Sequence, residues 1–104
     1  MNLETQGITI SPQTVHSGDL VRICYHGLLA QSGADQVYIH TGYGSNWQYV
    51  QDMPMQKTAQ GWQRVFSVEH PGTLEFCFRD SAQNWDNNKG QNWSQPIQGA
   101  MNKH

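Results

Sequence analysis

The 104-residue sequence predicts an all-β fold, an immunoglobulin-like β-sandwich of about seven antiparallel strands. Three observations lead there. Apolar and polar residues alternate over short stretches, the two-residue period of a strand with one face in a core. Gly, Pro, Asn and Asp bound these stretches, as they do turns. No stretch keeps the three-to-four-residue spacing of an amphipathic helix. A chain of this length holds one modest core, so residues 1–104 are expected to form a single domain.

Each element follows from its own pattern. GITIS at 7–11 is a short alternating strand, and DLVRICYHG at 19–27 sets Val21, Ile23 and Tyr25 on one face with Arg22, Cys24 and His26 on the other. QVYIH at 36–40 turns Val37 and Ile39 inward and Tyr38 and His40 outward. A Gly-rich turn, HTGYGSNW, leads into WQYVQ at 47–51. WQRVFSV at 62–68 keeps Trp62 in phase with Phe66 and Val68, which makes Trp62 a core or core-edge residue. TLEFCFRD at 73–80 sends Leu74, Phe76 and Phe78 inward and Glu75, Cys77 and Arg79 outward, and a last strand covers 95–98. Cys24 and Cys77 therefore point away from the core on separate strands. Such sulfurs lie too far apart for the Cα separation of roughly 7 Å that a disulfide tolerates, so two free thiols are expected.

Charge narrows the partners. The formal net charge is -2 and only 13% of residues are charged, so no basic stripe exists to neutralise a row of phosphates, and nucleic acid is a poor partner. No apolar run approaches the roughly 20 residues that cross a bilayer, and a membrane is not expected as a partner. MNLETQGITI lacks the basic start and apolar stretch of a secretion signal, which suits a cytoplasmic protein if the chain is complete and an extracellular one if it is cut from a secreted enzyme.

Tryptophan carries the functional signal. Three of the four follow an asparagine in polar, turn-forming sequence: Trp47 in GSNWQ, Trp85 in AQNWDNNKG and Trp93 in GQNWS. An indole gives up its burial energy there unless a ligand supplies the contact. A sugar ring suits such a place, because its C–H face is apolar and its rim is hydroxylated. His40 projects to solvent near Trp47, where an imidazole can bond a hydroxyl and extend the stacking surface. Tyr43, between two glycines, either joins that surface or folds back onto its loop; Trp93, which begins the last strand after a turn, could go either way, with the structural role favoured.

In the loop from Phe78 to Trp93, Asp80, Asn84, Asp86, Asn87, Asn88 and Asn92 surround Gly90, and turn formation accounts for many of them. The EF-hand pattern fails, since Gly90 is fifth from Asp86 and Ile97 is twelfth. Catalysis has no support: Asp80 and Asp86 share one loop with no scaffold to perturb them, whereas glycoside hydrolysis needs two carboxylates across a cleft. No nucleophile triad, metal-ligand cluster or phosphate loop appears, so neither enzyme activity nor a cofactor is expected.

The blocks VYIHTGYGSNW, DMPM, GW and LEFCFRDSAQNWDNNKGQNW, together spanning about Gly18 to Trp93, resemble the starch-binding carbohydrate-binding modules of family 25, with relatives in families 26 and 53. The resemblance implies an immunoglobulin-like sandwich that binds α-1,4-glucans such as starch, glycogen and malto-oligosaccharides, usually as a module of a larger amylase. It carries a stacking platform onto His40, Trp47 and Trp85, and polar contacts onto Asp86, Asn87 and Asn88. The rival class is an immunoglobulin-like protein-interaction domain whose exposed tryptophans anchor a partner.

Overall fold

Strand alternation becomes two sheets whose apolar faces meet. The computed structural model describes residues 7–99. In chain order the elements are β1 (Ile8–Ser11), β2 (Val15–His16), β3 (Leu20–Tyr25), α1 (Leu28–Gln31), β4 (Val37–Tyr43), β5 (Gln48–Pro54), β6 (Gln56–Thr58), β7 (Gly61–Ser67), β8 (Gly72–Asp80), β9 (Trp85–Asp86) and β10 (Trp93–Gln98). One sheet has the order β1-β3-β7-β6. The other has the order β2-β10-β8-β4-β5, with β9 pairing β8 beside β10.

This is a β-sandwich, as the alternation required. Three short strands, β2, β6 and β9, join the seven expected, and β2 runs parallel to β10, so the arrangement is not antiparallel throughout. The helix α1 was not anticipated either. It is a single turn of four residues that buries Leu29.

Parity sets the core. Val21, Ile23 and Tyr25 from β3 meet Leu74, Phe76 and Phe78 from β8 and Val37 and Ile39 from β4, all essentially removed from solvent. The Tyr25 and Phe78 rings stack at 4.1 Å between centroids. Each such side chain contributes about 1.5–3 kcal/mol on burial, so these positions rather than the loops hold the fold together. Trp62 and Trp93 are both buried, and Trp93 lies against Phe76 and Phe78. Both tryptophans are core residues: the phase of Trp62 with Phe66 and Val68 indicated this, and for Trp93 burial decides for the structural role.

Cys24 and Cys77 are free, one on each sheet. Cys77 departs from expectation in one respect. It occupies the outer face of β8, as parity demanded, yet only 5% of it is exposed. The reason is that this outer face is itself covered: His40 stands directly opposite Cys77 across the β4–β8 ladder, with the Trp47 ring stacked on His40 and the Trp85 ring edge-on to it. Burial pushes the Cys77 thiol up to about 11, with the Asp52 and Asp86 carboxylates adding to the effect.

Candidate functional site

The site is built on the outer face of the sheet formed by β5, β4 and β8. Tyr38, His40 and Gly42 alternate outward along β4. Across the ladders, Tyr38 faces Arg79 and Pro54, and His40 faces Cys77 and Asp52. The β4–β5 hairpin is irregular between Thr41 and Tyr43, where the register shifts. That bulge lets the tight turn after Gly44 fold Trp47 back over the strand; Trp47 N–H donates to the Gly44 carbonyl at 3.0 Å.

Gly42 is what the indole lies on. A Cβ at this position would stand 2.5 Å from Trp47 Cε3 and 3.0 Å from Trp47 Cδ2. With no side chain beneath it the indole rests against the β4 backbone, half-buried, with the Trp47 backbone in the left-handed region at φ 54°. The Trp47 ring stacks on the His40 imidazole, 5.6 Å between centroids and 29° between planes.

Trp85 arrives from the other side. It pairs with Arg79 in the two-residue strand β9, rather than sitting in an unpaired loop, and its ring meets His40 edge-on at 5.4 Å and 89°. It remains 44% exposed, more open than the half-buried Trp47. Two indoles thus flank one imidazole and are inclined steeply to each other, a folded surface rather than a flat row.

A charged relay fixes the imidazole. His40 Nδ1 is 3.2 Å from Asp52 Oδ1, and Arg79 donates from Nε to Asp52 Oδ1 at 3.1 Å and from Nη2 to Asp52 Oδ2. Because a carboxylate oxygen only accepts, Nδ1 carries the hydrogen of the His40–Asp52 bond and Nε2 is left for another partner. Arg79 in turn lies over the Tyr38 ring at 4.0 Å. The Arg79 guanidinium, with help from His40, holds the Asp52 carboxyl below its ordinary range.

The polar residues of the Phe78–Trp93 loop are spent largely on the loop itself. Asp86 turns to the core side of β9, and its carboxylate accepts a 2.6 Å hydrogen bond from the Tyr25 hydroxyl. That hydroxyl accepts in turn from the Leu29 N–H at 2.9 Å, which ties α1 to the same point. Burial, reinforced by the Asp86 hydrogen bond, raises the Tyr25 phenol far above its ordinary range. Asn87 Oδ1 accepts from Gly90 N–H at 2.9 Å, and Asn88 Nδ2 donates to the Asn92 carbonyl at 3.1 Å. Asn88 and Asn92 take left-handed backbone, the conformation asparagine tolerates best after glycine. Asp80 closes the preceding turn, accepting from Ala82 N–H, Asn84 N–H and the Asn84 side-chain amide, which holds its carboxyl below the ordinary range. The expectation that nothing perturbs this acid was therefore wrong, although the partners are those of a turn.

The structure brings His40, Trp47 and Trp85 together; Asp86, Asn87 and Asn88 lie beside Trp85 along a cleft that also takes in Leu28, Lys89 and Trp93. Tyr43 is not in this group, because it is buried and its hydroxyl accepts from Glu69 N–H at 3.1 Å. Asp52, Arg79 and Gly42 support the site and were not singled out from sequence. Among the described residues no three His, Cys, Asp or Glu side chains gather as they would around a metal ion.

Residues 21–76, which take in His40 and Trp47 and stop short of Trp85, match the starch/carbohydrate-binding module of family 53. The chain belongs to this family. The match is to family 53, named above as a relative, rather than to family 25 itself. The module is also similar to an alpha-amylase of Clostridium acetobutylicum, 31% identical over 93 residues. That alignment takes in 86% of the module but spans only 12% of the amylase's length. No solved structure matches the module.

Proposed function

We propose that this carbohydrate-binding module binds α-1,4-glucan without catalysis, with His40, Trp47 and Trp85 as its stacking platform. The observation that carries this reading is the angle between the rings. An α-1,4-glucan curls, so successive glucosyl units present their C–H faces in changing directions, and a folded pair of indoles follows that curve where a coplanar row would suit a straight chain. The imidazole between them offers Nε2 to a sugar hydroxyl. Asp86, Asn87 and Asn88 border the Trp85 end and supply the polar rim on this reading, Asn88 through its amide oxygen and Asn87 through its amide nitrogen.

The acids support binding over chemistry. Asp52 is engaged by Arg79 and His40, Asp86 by Tyr25 and Asp80 by Asn84, so these three acids are held by structural partners rather than paired across a cleft. The shared segment with an alpha-amylase supports a role as one domain, residues 1–104, within a larger amylase. The test is retardation in native gels cast with soluble starch, glycogen or a soluble β-1,4-glucan. Retardation by the two α-glucans alone, with no release of reducing sugar, is expected. Equal migration in all gels would refute the reading and favour the protein-anchor alternative.

A further inference from the structure

A second aromatic group stands apart from the platform. Tyr49 stacks face to face on His70, 4.0 Å between centroids and 7° between planes, and His70 meets Tyr43 edge-on at 4.9 Å. Tyr43 is fixed, being buried and bonded through its hydroxyl to Glu69 N–H, so the group rests on a rigid base. Tyr49 is different: 62% of it is exposed, the greatest exposure of any Phe, Trp or Tyr in the described chain.

A tyrosine that merely stapled His70 would be buried by doing so. Tyr49 instead leaves most of its ring in water, and its backbone sits at φ 55°, a left-handed conformation that costs a bulky residue of order 1–3 kcal/mol. Strain combined with an unburied aromatic face is the signature of a side chain held out for contact. The surrounding cleft, lined by Tyr43, Gly44, Gln48, Tyr49, His70 and Thr73, has a volume of about 460 Å³, within the range of ligand sites. Its lining has no acid, lysine or arginine. Aromatic face, amide and hydroxyl together recognise a neutral polyhydroxylated ring, not an ion.

The place in the fold identifies the ring. Trp47 ends the turn and Tyr49 follows two residues later in β5, both left-handed, with Trp47 over the outer face of β4 and Tyr49 toward Tyr43 at the strand end. We infer that Tyr49 and His70 form a second glucosyl-binding surface, separate from the platform, so that one module touches an α-glucan at two points. This rests on the α-glucan reading of the platform. Two weak contacts on one polymer raise retention without a new strong contact, because the second engagement is intramolecular.

Backbone amide NMR of the full chain, titrated with maltotriose, tests it. The expected result is two sets of shifting amides, one around His40, Trp47 and Trp85 and one around Gly44, Tyr49, His70 and Thr73. Trp85→Ala should abolish the first set and leave the second titrating. Tyr49→Asn, whose side chain accepts the left-handed backbone, should abolish the second, leave the first unchanged, and weaken retention on soluble starch by about three- to tenfold. Tyr49→Trp should restore it. Shifts confined to the platform in the wild-type chain, with Tyr49→Asn retained as strongly as wild type, would overturn the second surface and leave the platform standing. Shifts at neither place would overturn both.

Discussion

The Gly42→Ala substitution tests the architecture of the platform without removing any of its rings. Gly42 is not in the left-handed region, so alanine is compatible with the backbone and the consequence is steric alone. Its Cβ would stand 2.5 Å from Trp47 Cε3, whereas carbon atoms rest at about 3.5–4.0 Å, so the indole must retreat by roughly 1 Å or more. A gap of that size forfeits a quarter to a half of each contact with His40 and spoils the register with the ligand. If one stacked ring contributes about 1.5 kcal/mol, losing between half and all of that weakens α-glucan binding by roughly three- to twelvefold. Overpacking costs stability as well, about 1 kcal/mol or a fall in melting temperature of about 4–8 °C. Calorimetric titration with maltoheptaose and thermal unfolding read the two effects. The double variant Gly42→Ala, Trp47→Ala should regain part of the lost stability, because removing the indole removes much of the clash. Wild-type affinity in Gly42→Ala would show that the indole does not need its seat on β4.

Trp62→Ala should lower stability by about 3–5 kcal/mol, measured by urea unfolding, with maltoheptaose affinity unchanged wherever the chain remains folded. Tyr25→Phe strips the donor from the Asp86 carboxylate and the acceptor from Leu29 N–H; about 1–3 kcal/mol of stability should be lost, and binding should weaken as β9 loosens. Alkylation followed by peptide mass spectrometry at pH 8 should label Cys24 well before Cys77, whose thiol is buried and raised to about 11; equal rates would refute the covered face. Asp52 has its folded pKa lowered, so its stabilising contribution is present above the unfolded value of about 4 and lost as pH falls through the folded one. The melting-temperature advantage of wild type over Asp52→Asn should therefore be constant near pH 7 and vanish in strong acid, and a gap that widens on acidification would reverse the sign of this argument.

What could be read from the sequence, and what could not, divides along physical lines. Parity identified the inward residues of β3, β4 and β8 because a one-residue slip would bury Arg22 or Glu75, an error too costly to leave ambiguous. It failed for elements too short to repeat their period: two residues in β2 and in β9, three in β6 and four in α1 show no repeat to detect. Cys77 exposes a different limit. Alternation states which face a residue occupies and is silent on whether something covers that face. Trp47 and Trp85 stood out because their neighbours are polar, a composition signal that needs no register. Asp52 gave no such signal, since pairing it with His40 requires the hairpin register, and the irregularity between Thr41 and Tyr43 hides that register from any count along the chain.

The two ends of the platform are oriented by different means, and the core takes part in one of them. On β4 the outward direction of His40 follows from Ile39 and the buried Thr41, its neighbours in the strand, and Asp52 with Arg79 then fixes the ring. At β9 there is no long alternating strand to enforce direction, and two residues alone could pair with either face outward. Asp86 resolves this. Its carboxylate is drawn to the Tyr25 hydroxyl inside the sandwich, and because neighbouring strand residues point to opposite sides, Trp85 must then face out toward His40. A core tyrosine therefore decides where the most exposed indole stands, which makes Asp86 a positioning residue for Trp85. The same hydroxyl holds α1 through Leu29 N–H, so the helix that lines the cleft with Leu28 and the strand that carries Trp85 are set from one atom. On the proposed reading, rings fixed in this way lose little freedom when a glucan stacks on them.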